Sequence, residues 1–94
     1  MIASMRVMFF GEPDTYSNQR DYQRLVEDSK EQFGADYVSE HDSDSRDSIA
    51  TLQIYQVFNT PAVLVCREDG SPVAIWQHTL PTLSDISYFY QSER

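Results

Sequence analysis

Apolar and polar positions alternate in blocks along this chain, and the blocks predict alternating strands and helices. The apolar run Arg6–Phe10 ends at a glycine–proline turn signal and predicts a buried strand. A helix follows it, with Thr15, Ser17 and Asn18 as the candidate capping residues. Its inward stripe at helical spacing consists of Tyr22, Leu25, Val26, Ser29 and Phe33, and Gly34 ends it.

The middle of the chain predicts a weaker strand and a second helix. Residues 35–41 alternate less regularly, which is typical of a strand near the edge of a sheet. The polar segment 42–48 is rich in capping residues and leads into the helix. The inward side of this helix is predicted to carry Ile49, Leu52 and Tyr55, with the aliphatic stem of Gln53.

The last third predicts a hairpin and a terminal helix. Residues 61–66 form an apolar run, Asp69-Gly70 is a hairpin signal, and residues 72–77 pair back antiparallel. Pro81 starts a helix capped by Thr79 or Thr82. The inward residues of this helix are predicted to be Leu83, Ile86, Phe89 and Tyr90.

The element order is β-α-β-α-β-β-α, which predicts an α/β fold. Right-handed crossovers would make the first three strands parallel, and the hairpin would add an antiparallel edge. We therefore expect a four-stranded mixed sheet with helices on both faces. Residues 1–94 are expected to form a single domain, with residues 1–5 as a loose tail.

Charge and cysteine content exclude several classes of function. Fifteen acidic against seven basic residues give a net charge of −8, which disfavours nucleic acid and an anionic membrane surface as partners. Cys66 is the single cysteine, so no disulfide can form within the chain. With no signal-peptide pattern and no membrane-spanning run, a cytoplasmic location is the default expectation.

Pro61 stands at the head of an apolar run rich in β-branched residues. A proline inside a central strand would lose a ladder hydrogen bond, so Pro61 is predicted to begin the strand. A cis bond after Thr60 is the expected arrangement, since that isomer costs little before proline. It would expose the backbone of Thr60 on a loop.

Three segments in this order resemble the thioredoxin-like family. They are the strand-loop-helix at 7–17, the segment 55–61 leading to the proline, and the Asp69-Gly70 hairpin ahead of a terminal helix. The resemblance places Asp14 and Ser17 where redox members carry Cys-x-x-Cys, and Met8 where they carry a buried acid. Because a carboxylate and a hydroxyl cannot exchange thiols, we expect no disulfide oxidoreductase activity.

The resemblance also implies a docking groove that remains after the redox chemistry is lost. Its exposed backbone at Thr60 would pair with an extended protein or peptide segment. Acidic residues at the rim would favour a basic peptide. The predicted groove residues are Glu12, Asp14, Tyr16, Ser17, Thr60, Pro61 and His78.

Other interpretations stay open beside this one. Asp14 and Ser17 also suit helix capping, and Ser17 would be the residue to activate a thiol cofactor such as glutathione in a transferase-like enzyme. Tyr88 and Tyr90 cannot both point inward on one helix, which raises the hypothesis of a homodimer. Cys66 is expected to be inert, and the cluster at 41–47 matches no metal-ligand spacing, so no cofactor or metal is expected.

Overall fold

The structure, a computed structural model, describes residues 5–11, 19–77 and 79–92. Its four strands form one sheet in the order β2-β1-β3-β4. A short 3-10 turn, Ala35–Tyr37, precedes the second strand. The elements are β1 (Met5–Gly11), α1 (Gln19–Phe33), β2 (Val38–Asp42), α2 (Arg46–Ile54), β3 (Ala62–Arg67), β4 (Pro72–Gln77) and α3 (Leu83–Ser92).

The element order and the mixed sheet confirm the predicted fold class, but the direction of β3 does not follow the prediction. β1 pairs with β2 in parallel, whereas β3 runs antiparallel to both β1 and β4. Ala62 at the start of β3 pairs with Phe10 near the end of β1. The chain therefore leaves the sheet after β2 and re-enters it at the same end, and the expectation of three parallel strands is wrong.

The end of α2 supplies the physical reason for this return. Gln56 takes a positive φ of 59°, and the N–H of Val57 donates to the carbonyl of Leu52 at 2.9 Å. The N–H of Gln56 donates to Gln53, which completes a Schellman arrangement that stops the helix. A helix of nine residues is about 13 Å long. Because β1 is about 23 Å long, α2 and its turn do not carry the chain back to the opposite end of the sheet.

The helices cover both faces of the sheet, and each face has its own core. Phe9 and Phe10 are consecutive in β1 and enter different cores, because successive side chains of a strand point to opposite faces. Phe9 packs edge-on against Tyr22 of α1, with 5.9 Å between ring centroids. Phe10 joins Leu52 of α2 on the other face.

Most of the predicted helix stripes are confirmed. Tyr22, Leu25, Val26 and Ser29 of α1 are buried, and Ile86 of α3 is fully buried. In α2 the prediction is confirmed for Leu52, which is buried, and wrong for Ile49, which is 45% exposed. Ser48 is buried although the sequence did not predict it.

Several boundaries also differ from the predictions. Met5 lies in β1 and is buried, so the prediction that the loose tail extends to residue 5 is wrong for Met5. Thr82 caps α3, because its hydroxyl accepts from the N–H of Asp85 and the Asp85 carboxylate accepts in return from the N–H of Thr82. Within the described part of the chain, no helix is both long enough and apolar enough to span a bilayer.

Candidate functional site

A groove lies at the end of the sheet where β1 and β2 finish and β3 begins. We call it the Thr60 groove, and it encloses about 250 Å³. One wall comes from α2 and the other from the segment that leads to β3. Its lining residues are Ser43, Asp44, Ile49, Leu52, Gln53, Val57, Phe58 and Thr60.

Local hydrogen bonds hold the wall formed by the start of α2. The N–H of Ser43 donates to the carbonyl of Gly11 at 3.1 Å, which ties the loop after β2 to the end of β1. The hydroxyl of Ser45 accepts from the N–H of Ser48 and caps the helix. The polar segment therefore has the capping role that the sequence predicts, with Ser45 as the capping residue.

Thr60 lines the groove, and Pro61 follows it in the chain. The peptide bond between them is cis, and β3 begins one residue later, at Ala62. Pro61 is buried and Thr60 is half-buried. Among the described residues, no backbone–backbone hydrogen bond involves the main chain of Thr60.

Two apolar side chains of the groove are exposed. Phe58 is 77% exposed and Ile49 is 45% exposed, although both line the same groove. The N–H of Phe58 donates to the side-chain carbonyl of Gln77 at 3.1 Å, which fixes the backbone beneath the ring. The sequence predicts neither residue as part of the site, and it predicts Ile49 to be buried.

The charge at the mouth of the groove is negative. Asp42, Asp44 and Asp47 lie at or just before the start of α2, with Arg46 as the one basic residue among them. The N–H of Asp44 donates to the carboxylate of Asp42 at 2.9 Å. Asp44 is the one of these three aspartates that lines the groove, and the three carboxylates of this segment together outweigh one guanidinium and the roughly half positive charge of a helix N-terminus. A cationic group is therefore the favoured neighbour at this mouth.

The structure tests only part of the predicted groove. Glu12, Asp14, Tyr16, Ser17 and His78 lie outside the described residues. Thr60 and Pro61 are described, and they lie beside the end of β1 through the pairing of Phe10 with Ala62. The membership of those five residues in the site, which the structure does not describe, therefore stays a prediction.

Cys66 lies in β3, away from the groove lining. It is 2% exposed and packs in the core that contains Phe10 and Leu52. Burial raises the pKa of the Cys66 thiol, so the reactive thiolate is disfavoured at neutral pH.

Tyr55 is the polar neighbour of that thiol. Burial raises the pKa of Tyr55 to about 12, and its hydroxyl donates to the carbonyl of Gly70 at 2.5 Å. The phenol therefore stays protonated and ties the end of α2 to the hairpin. In the described ranges, no three His, Cys, Asp or Glu residues are grouped so as to hold a metal ion.

Comparison with known proteins agrees with this architecture. No family model and no curated protein matches the sequence. Solved structures do match it over almost the whole chain, and they are thioredoxin-like proteins. The chain therefore has a thioredoxin-like fold.

Three of these structures illustrate the likeness. An uncharacterised thioredoxin-like protein from Clostridium perfringens is 13% identical with a TM-score of 0.76, covering 96% of this chain and 71% of that one. The C-terminal domain of DsbD from Neisseria meningitidis in its reduced form is 19% identical, with a TM-score of 0.69 and coverage of 97% and 82%. A thioredoxin from Thermus thermophilus is 14% identical, with a TM-score of 0.63 and coverage of 94% and 72%. At these identities the likeness shows the fold alone.

Proposed function

We propose that this chain is a redox-inactive thioredoxin-like domain that binds an extended segment of a partner protein in the Thr60 groove. The observation that carries the proposal is the pair of exposed apolar side chains, Phe58 and Ile49, on the two walls of a groove that Thr60 also lines. An apolar anchor in this groove would bury surface that the free domain leaves in water. The backbone of Thr60 would give that segment its direction.

The size of the groove supports a peptide rather than a small cofactor. Pockets for drug-sized ligands usually enclose about 300–1,000 Å³ and bury most of the ligand. The Thr60 groove encloses about 250 Å³ and is open on one side, which suits one or two side chains of a longer segment. A glutathione-binding transferase remains the alternative function, and no described residue supports it.

A panel of peptides tests the chemistry of the proposed partner. Three short synthetic peptides of about eight residues share one apolar centre and differ in their flanks, which are arginine, serine or glutamate. Because the mouth of the groove is acidic, we expect affinity to fall in that order, and the difference to shrink as salt is added. Fluorescence anisotropy measures each dissociation constant. Equal affinity for the arginine and glutamate peptides would contradict the proposed partner chemistry.

Insulin reduction tests the redox part of the proposal. The chain has one cysteine, that cysteine is buried, and its raised pKa keeps it protonated. One thiol cannot complete a cycle that needs an attacking and a resolving cysteine. We expect turbidity from reduced insulin to appear no faster with the protein and dithiothreitol than with dithiothreitol alone. A clear acceleration would overturn the redox-inactive assignment without touching the peptide-binding result.

Self-association is a second candidate role, and it involves a different surface. Tyr88 on α3 is 69% exposed although it lies among aromatic residues. A large exposed aromatic side chain on a small acidic domain suits contact with a second copy.

A further inference from the structure

Two buried side-chain hydroxyls have no hydrogen-bond partner among the residues that the structure describes. They belong to Ser29 of α1, which is fully buried, and to Ser43, which is 8% exposed. The large majority of buried side-chain polar atoms are paired, because an unpaired hydroxyl loses its bonds to water without a replacement. Each of the two serines therefore needs a reason in the fold or in the function of the domain.

The two serines differ in their position relative to the Thr60 groove. Ser29 lies on the inward stripe of α1, which faces the core of Phe9 and Tyr22, and it is not among the residues that line the groove. Ser43 directly follows β2 and is one of the lining residues. Only the hydroxyl of Ser43 is therefore placed where a bound ligand could satisfy it.

The segment around Ser43 is held in place without the help of this hydroxyl. The N–H of Ser43 donates to the carbonyl of Gly11 at 3.1 Å, and the N–H of Ser45 donates to the carbonyl of Asp42 at 3.0 Å. Ser45, rather than Ser43, caps α2. Backbone bonds and a neighbouring side chain thus shape the segment, and the hydroxyl of Ser43 is left for a group that enters the groove.

The surroundings of Ser43 define the chemistry of that group. Asp44 also lines the groove, and its negative charge disfavours an anion and favours a cation. A cationic N–H donates to a hydroxyl oxygen more strongly than a neutral N–H does. Leu52 and Val57 are buried lining residues, and the aliphatic stem of a long basic side chain packs well on such apolar surface. These features together suit an arginine or lysine side chain.

We propose that Ser43 determines the specificity of the Thr60 groove, because its hydroxyl accepts a hydrogen bond from the cationic head of an arginine or lysine in the bound segment. The stem of that side chain lies against Leu52 and Val57, and the neighbouring apolar residue of the segment contacts Phe58. The serine oxygen moves by rotation about a single bond, so it can meet the head without a change in the backbone. This inference deepens the proposed peptide binding and rests on it.

Ser43→Ala tests the inference with two of the peptides described above. The variant removes the hydroxyl and keeps the N–H that donates to Gly11. We expect it to weaken binding of the arginine-flanked peptide by about 5- to 20-fold, because the bond to the cationic head is lost. The serine-flanked peptide has no such head, so its affinity should change by no more than about twofold. Fluorescence anisotropy measures all four dissociation constants.

Ser29→Ala is the matched control for this experiment. It removes the other buried hydroxyl that has no partner in the described part of the chain, and it does so outside the groove lining. Both peptides should bind this variant within about twofold of the wild type. Because each deleted hydroxyl is unsatisfied in the free domain, neither variant should lower the urea midpoint of unfolding.

The possible failures of the inference and of the proposed function can be told apart. Unchanged binding of the arginine-flanked peptide by Ser43→Ala, or equal weakening of both peptides, would overturn the inference and leave peptide binding in the groove intact. A lower urea midpoint for Ser43→Ala alone would also overturn it, since the hydroxyl would then support the free fold. A wild type that binds neither peptide would overturn the proposed function and the inference with it.

Discussion

Replacing Phe10 with alanine is expected to lower the free energy of unfolding by about 3–5 kcal/mol. The side chain is 1% exposed and fills the core between β1 and α2, where it stacks on His41 at 4.9 Å between centroids. Its removal deletes buried aromatic surface and leaves a cavity that rigid strands on both sides cannot fill. Because small domains are stable by about 5–15 kcal/mol, the variant should be folded but marginal.

Phe58→Ala provides the matched control for this prediction. The substitution is chemically identical, but Phe58 is 77% exposed, so its loss should change stability by no more than about 0.5 kcal/mol. Urea denaturation followed by circular dichroism measures the free energy of unfolding of both variants under the same conditions. Similar losses for the two variants would contradict the assignment of Phe10 to the core and of Phe58 to the surface.

Phe58→Ala should nevertheless weaken peptide binding by about 5- to 30-fold, equivalent to about 1–2 kcal/mol. The ring forms one wall of the Thr60 groove, and an aromatic anchor there would carry much of the apolar contact. Fluorescence anisotropy with the arginine-flanked peptide measures the change. Since the fold is retained, the loss would belong to the binding surface itself.

Ile54→Ala separates this effect from a general loss of exposed apolar surface. Ile54 and Phe58 are both 77% exposed, but only Phe58 is among the residues that line the groove. We expect Ile54→Ala to bind the peptide within about twofold of the wild type. Equal weakening by both variants would place the contact elsewhere.

The sequence predicts the element order well because the periodic signals are local and strong. The stripe from Tyr22 to Ser29 needs little more than helical spacing, and the Asp69-Gly70 pair marks the hairpin. Pro61 similarly indicates where β3 starts, to within one residue. Such features depend on residues within a few positions of one another.

The direction of β3 could not be predicted in the same way. It depends on how far α2 carries the chain, and the turn that stops α2 is made by Gln56, which is not a residue that favours a positive φ. A glycine at this position would have indicated the turn. The rule for right-handed crossovers concerns parallel strands, whereas the connection through α2 passes β1 and joins β2 to a strand of opposite direction.

The exposure of Ile49, on the groove wall formed by α2, could not be predicted for a related reason. Ser48 lies on the buried stripe of α2. Because serine is polar, the apolar pattern does not show that the stripe includes position 48 and leaves Ile49 outside it. Tertiary packing, rather than local pattern, decides which of two neighbouring residues faces the sheet. The position of Thr60 in the groove lining follows from Pro61, so that part of the site could be predicted.

We propose above that a thiol-free groove at Thr60 binds an extended peptide, and an NMR titration of the 15N-labelled chain distinguishes this from binding of a thiol cofactor. We expect the arginine-flanked peptide to shift the amides of Ile49, Phe58 and Thr60, while glutathione leaves them unchanged. Shifts with glutathione alone, or peptide shifts confined to residues distant from these three, would contradict it.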